Sequence, residues 1–250
     1  MLDNAVGTGR SHKTCRDRYA GDVQFLPQSS NPSENGNDRR RGEPRALDPG
    51  VGAGWNEPEY QAFGLPFDHR VDRFEEALQI LKPLLHQAHV DFAGQFYHAR
   101  NCEIVPRGPR PEGPPLMVGS EEGPRMLKLT ARYADLWNTG YMGKPETIAG
   151  RLAKIQAACR EIGRDPATLG ITALIGLWFS DLQAKKPSFF ENPLTGTVQE
   201  LAAAMRGYEE LGVQHIMFQC EPYTPEARHR LTQALQLYRG MERKTGTPQT

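Results

Sequence analysis

Hydrophobic positions follow two regimes along the chain. Residues 1–50 hold few aliphatics and show neither the period of about 2 nor that of about 3.6 that marks strands and helices. From Val51 onward, amphipathic segments alternate with short apolar runs, as in a folded domain. Residues 71–88 place Phe74, Ala77, Leu78, Leu81, Leu84 and Leu85 at helical spacing with charges opposite. Pro83 predicts a kink in that helix. Residues 123–134 set Met126, Leu127, Leu129 and Ala131 on one helical face. Residues 145–162 read as a long helix closed by Gly163. Residues 197–211 start at a Thr N-cap and stop at Gly212. Thr224 caps a last helix, with Pro225 first in it and Glu226 in its first turn.

The strand candidates are 115–119, 134–138, 171–179 and 215–219, all short and apolar. Such strands alternating with helices imply parallel β/α units buried on both faces. About four units can be counted, whereas a closed barrel of this kind needs eight. The fold expected is α/β: a partial (β/α)8 TIM barrel lacking its first strands, with a disordered or frame-shifted N-terminal stretch. Its divisions would be 1–50 outside the barrel, 51–243 as the C-terminal part of the barrel, and 244–250 as a flexible tail.

Composition narrows the function classes. The 250 residues carry no net formal charge, which argues against nucleic acid as a partner. No run approaches the roughly 18 apolar residues of a membrane span, so no membrane partner is expected. The N-terminus has no apolar signal core. Cys15, Cys102, Cys159 and Cys220 are widely spaced, with no zinc pattern, and read as reduced thiols of a cytoplasmic protein. The histidines form no constellation, and His215, beside a strand, reads as a satisfied structural histidine.

The ordered motifs carry a resemblance. Gly52-Ala53-Gly54-Trp55-Asn56-Glu57-Pro58-Glu59-Tyr60 is followed by Phe63-Gly64-Leu65-Pro66-Phe67 and by Arg73-Phe74-Glu75-Glu76-Ala77-Leu78. Phe92-Ala93-Gly94-Gln95-Phe96-Tyr97, Pro114-Pro115-Leu116-Met117-Val118-Gly119-Ser120 and Leu129-Thr130-Ala131-Arg132-Tyr133-Ala134-Asp135-Leu136-Trp137-Asn138 come next, then Glu210-Leu211-Gly212-Val213 with His215-Ile216. From 51 to 239 this series resembles the luciferase-like monooxygenases, especially their F420-dependent branch. The resemblance implies an oxidoreductase that uses coenzyme F420, or FMN as the alternative, for hydride transfer or monooxygenation of a small organic substrate. It also implies a homodimer. An inactive remnant, or a subunit that needs a partner chain to complete the barrel, is the competing expectation.

The first residues break the series. Read one base later, residues 2–49 can encode a segment that includes NPAILAKMATTVDVVSHGRLIL, which is similar to the family's missing motif "N-P-A-x-L-A-K". Residues 1–49 are therefore expected to be an out-of-frame translation, with the frame restored at Gly50. On this reading barrel strands 3 and 4 are scrambled and strands 1 and 2 would precede Met1.

In a (β/α)8 barrel the active site lies at the C-terminal ends of the strands. Gly119, Ser120, Gly123 and Arg125 follow one strand and open a helix, where free N–H groups and the helix dipole favour a phosphate. Glu121 and Glu122 oppose an anion there, and a plain cap loop is the other reading. Gly52, Gly54, Trp55 and Asn56 end another strand and, by resemblance, border the flat cofactor ring; alternatively Trp55 packs under the following loop. Asn138 is expected to reach the cofactor. No acid/base pair emerges, which suits chemistry that belongs to the cofactor.

Overall fold

The computed structural model describes residues 48–108 and 110–241. The expectations for residues 1–47 and for the tail 244–250 lie outside the described residues. The chain forms two compact units that meet in sequence between Leu116 and Met117.

The first unit contains strand β1 (Gly50–Val51), a short helix α1 (Glu57–Ala62), the long helix α2 (Arg70–Gln87), and the antiparallel strands β2 (His89–Ala93) and β3 (His98–Glu103). Helix α2 runs through Pro83 as one element. Its buried stripe is Phe74, Ala77, Leu78, Ile80 and Leu84, so Ile80 takes a core place while Leu81 and Leu85 are half-exposed. Ala77, Ile80 and Leu84 pack with Val90, Tyr97 and Ala99 of the hairpin region. One side chain ties the turn to the helix: the Glu76 carboxylate accepts from the backbone N–H groups of Gln95, Phe96 and Tyr97 at 2.7, 2.9 and 2.9 Å. Burial works against the Glu76 charge, but these three donors hold its carboxyl below the usual range.

The second unit is a run of four β/α units. Strands β4 (Met117–Gly119), β5 (Leu136–Met142), β6 (Gly170–Trp178) and β7 (Val213–Glu221) lie in that order and pair in parallel. Helices α3 (Pro124–Tyr133), α4 (Ala149–Glu161), α5 (Val198–Glu210) and α6 (Pro225–Gly240) follow them in turn. The expected parallel α/β pattern is thus present, and among the described residues the sheet does not close into a barrel. The stop signals act as expected. Gly163, at φ 75°, ends α4 while its N–H reaches the Arg160 carbonyl and the Arg164 N–H reaches that of Cys159. Thr197 and Glu200 form a reciprocal capping box on α5, and Thr224 caps α6.

Two boundaries differ from expectation. Residues 145–162 divide into a 3-10 turn, Pro145–Ile148, and α4, because the chain enters the helix through a tight prolyl start. Strand β5 runs four residues past Asn138 through a bulge at which Tyr141 adopts φ 54°. Its polar end masked this extension in the sequence. His215 also differs: it is exposed on β7.

Candidate functional site

The sequence-predicted residues fall into two sets, one in each unit. In the second unit, the turn after β4 is held by a buried polar cluster. The Trp137 indole N–H donates to the Ser120 carbonyl at 2.9 Å and lies 3.1 Å from its hydroxyl. That hydroxyl is 2.9 Å from the Thr130 hydroxyl, which donates to the Met126 carbonyl at 2.8 Å. The Ser120 N–H donates to the Asn138 carbonyl at 3.1 Å. Ser120 is therefore a brace between β4, β5 and α3, with both its hydroxyl and its backbone engaged. Next to it in register, Gly119 pairs with Asn138. The Asn138 side chain accepts from the Thr172 hydroxyl at 2.9 Å.

The brace sets the start of α3. Gly123 is its N-cap, with no side-chain cap, and Pro124 is its first residue. Gly123 and Arg125 are exposed. The acidic charge that would repel an anion is partly neutralised, since Glu122 bonds Lys154 and lies 3.5 Å from Arg151, both of α4. Lys154 first, then Arg151, holds the Glu122 carboxyl below its usual range. Arg151 donates to the Thr139 hydroxyl at 2.8 Å and to the Gly140 carbonyl at 3.1 Å. Two cations from the next helix therefore stand beside the β4–α3 turn. Sequence reading missed both, since within α4 they look like an ordinary solvated face.

In the first unit, Gly52 belongs to a cleft lined also by Ala53, Tyr60, Arg70, Arg73 and Phe74. The Tyr60 hydroxyl donates to the Ala53 carbonyl at 2.7 Å. Burial raises the Tyr60 pKa, opposed by nearby Arg70. Gly54 has φ 71° and makes room for the Tyr60 ring, so its conformational freedom serves the protein's own aromatic. Asn56 begins α1 with its carbonyl, accepting from the Glu59 N–H at 3.0 Å. Trp55 is 74% exposed and so is not packed under the following loop. Arg70 lies over Phe67 at 4.7 Å and Arg73 over Phe96 at 4.5 Å, each measured to the ring centroid. Tyr60 and the two arginines were also missed, because a sequence pattern does not reveal which side of a helix borders a cleft.

Among the described residues, no three His, Cys, Asp or Glu side chains gather so as to hold a metal ion. Cys102, Cys159 and Cys220 are free thiols. Burial pushes the Cys220 thiol up to about 11, so it stays protonated at neutral pH. No helix among the described residues is long and apolar enough to cross a membrane.

Comparison with known proteins adds a family. The profile of the luciferase-like monooxygenases matches residues 47–186. The pyrimidine monooxygenase RutA of Allorhizobium ampelinum is 29% identical over 120 residues, covering 45% of this chain and 32% of that protein. A phthiodiolone/phenolphthiodiolone dimycocerosates ketoreductase of Mycobacterium kansasii is 29% identical over 130 residues, covering 51% of this chain and 35% of its own. The chain thus matches about a third of the length of these relatives. Among solved structures, a monooxygenase from Streptomyces bottropensis aligns with a TM-score of 0.59 at 20% identity, over 76% of this chain and 68% of that one. An F420-dependent secondary alcohol dehydrogenase aligns with a TM-score of 0.52 at 19% identity, over 70% and 64%. These structural likenesses speak for the fold.

Proposed function

Since the chain belongs to the luciferase-like monooxygenase family, we propose that it serves an oxidoreductase acting on a small organic substrate with coenzyme F420, FMN being the second choice. One observation carries this reading: the buried Ser120–Trp137–Thr130 brace fixes the β4–α3 turn while Arg151 and Lys154 offset the charge of Glu122. Such a turn suits an anionic group through the positive end of the dipole of α3, which starts at Pro124. The residues present therefore fit a cofactor with a phosphate. The turn Gly119–Gly123, with Arg125, would hold the phosphate, and Asn138 would meet a polar edge of the ring. The bound cofactor would supply hydride transfer or oxygen activation, and the chain's residues would supply position and water exclusion. Free thiols at Cys102, Cys159 and Cys220 support a reducing, cytoplasmic setting.

Fluorescence titration with F420 and with FMN tests the proposal. Saturable binding of one of them is expected. Arg151→Ala should weaken it by roughly 3–10-fold through loss of local positive charge. A soluble, folded protein that binds neither would refute the cofactor reading.

A second reading has its own support. Ile216, Met217 and Phe218 of β7 are half-exposed, and β7 has a strand partner on one side among the described residues. An inactive remnant, or a subunit completed by another chain, would present such an edge. Family resemblance makes a second copy of this chain the first partner to test.

A further inference from the structure

The cleft of the first unit combines two cations with an apolar lining. Arg70 and Arg73 stand one turn apart on α2, and both line the cleft together with Phe74 and Ala77 of the same helix. Phe74 and Ala77 are buried, at 4% and 3% exposure, and the two arginines are half-buried. Leu65 and Tyr60 also border it, with the Tyr60 hydroxyl turned to the Ala53 carbonyl at 2.7 Å.

Each guanidinium rests on a ring: Arg70 on Phe67 and Arg73 on Phe96. Phe67 in turn meets Tyr60 edge-on, with the centroids 5.2 Å apart, and the Arg73 Nε–H donates to the Asp68 carbonyl at 3.4 Å. Stacking uses the flat face of a guanidinium, while its N–H donors lie in the plane and point outward from the edge. A stacked side chain also has less rotamer freedom left to lose when a ligand arrives. Asp72, between the two arginines in sequence, bonds His69 at 3.0 Å. Like charges one turn apart on a helix repel, and an anion set between them turns that repulsion into attraction. The Arg70 charge acts within the cleft, since it opposes the rise that burial gives the Tyr60 pKa.

From this arrangement we propose that the cleft binds a small organic acid: Arg70 and Arg73 take its carboxylate through their in-plane N–H groups, and its apolar body lies against Leu65, Phe74 and Ala77. A bare inorganic anion would leave the apolar lining unused. An uncharged body would cover two cations without giving them a counter-charge, which costs free energy. The site is built within the first unit and stands without the cofactor reading. Only the further step, that this acid is the substrate of the proposed oxidoreductase, rests on that reading.

The test uses the full chain, with benzoate as the probe, benzamide as its uncharged counterpart and inorganic phosphate as the bare anion. Benzoate should bind saturably, and benzamide and phosphate about tenfold or more weakly. R70Q and R73Q should each weaken benzoate about fivefold or more, and R70K and R73K should recover only part of it, because an ammonium lacks the planar fork. Should a glutamine variant fail to fold, the lysine variants, which keep the charge and the stem, carry the comparison. In the wild type, two arginine Nε–H signals of a nitrogen-15 NMR spectrum, assigned by their loss in R70K and R73K, should shift along the benzoate saturation curve. Absence of saturable benzoate binding, equal affinity for benzamide, tighter binding of phosphate, or arginine signals that do not respond would each overturn the proposal. Titration with F420 and FMN separates the two readings. Retained cofactor binding with lost benzoate binding in R70Q/R73Q supports the site. Benzoate bound by a protein that takes neither cofactor supports the site and removes the cofactor reading. Loss of both in the folded double variant would make the cleft part of the cofactor's own site and overturn the organic-acid assignment.

Discussion

A Cβ added at Gly54 would lie 2.3 Å from the Tyr60 hydroxyl oxygen, at a residue already held at φ 71°. Both features oppose substitution. Gly54→Ala should cost about 2 kcal/mol or more and lower the thermal midpoint by several degrees, with the Tyr60–Ala53 bond displaced. An unchanged midpoint would show that the loop relaxes freely. Ser120 makes a contrasting case, since its role is in its partners. Ser120→Ala removes the hydroxyl that Thr130 meets, while the Trp137 indole keeps the carbonyl of residue 120 and Thr130 keeps that of Met126. A loss of about 1 kcal/mol in urea unfolding is expected, and a neutral result would mean that water enters the cluster. Both residues were singled out from the sequence as cofactor contacts. The local role that the fold gives them, bracing for Ser120 and clearance for Tyr60 at Gly54, needed neighbours that lie 6 to 17 positions away.

At the scale of elements, α2 and the hairpin are joined through one carboxylate. The Glu76 carboxyl is held below its ordinary value in the folded chain, so its contribution is present at neutral pH and is lost as acidification passes through that lowered value. Glu76→Gln should cost about 1 kcal/mol at pH 7. It should also flatten the acid limb of the stability curve below about pH 4.5, the ordinary value. The acid limb of the wild type surviving unchanged in the variant would refute this. The capping box of α5 gives a simpler expectation. Thr197→Ala should cost about 1 kcal/mol in chemical denaturation, and no loss would mean that other contacts hold the helix start. Helix positions were legible in the sequence because caps and periodicity are local. The end of β5 was not, since its bulge and polar residues carry no period of 2.

At the scale of the molecule, β7 ends the sheet among the described residues, with Ile216, Met217 and Phe218 half-exposed. A strand edge beside half-exposed apolar side chains favours association. The molar mass from light scattering should rise with protein concentration, and Met217→Lys should lower it; equal masses for both proteins would argue that the edge is protected. The proposed frame change has a direct check in the DNA across the codons for Met1 to Trp55. A base gained or lost near Gly50, with the family segment continuing in the shifted frame, is expected. Codons that cannot encode that segment would end the idea. In that case residues 1–49 are a native segment, and the search for a partner chain gains weight.

By itself the sequence determined the family resemblance, the helix caps, the parallel β/α pattern of residues 117–240 and the turns where function was to be sought. These depend on short-range rules: which residues start and stop a helix, and which apolar runs can be buried on both faces. Only the tertiary structure decided which side chains meet. It brought Arg151 and Lys154 to Glu122, joined Thr172 to Asn138, and placed Tyr60 over Gly54. It also left Trp55 and His215 at the surface. Such pairings depend on strand register and on the twist and crossing of distant elements. One-dimensional spacing contains neither, so a residue's neighbourhood, and with it its chemistry, is settled only when the strands are in place.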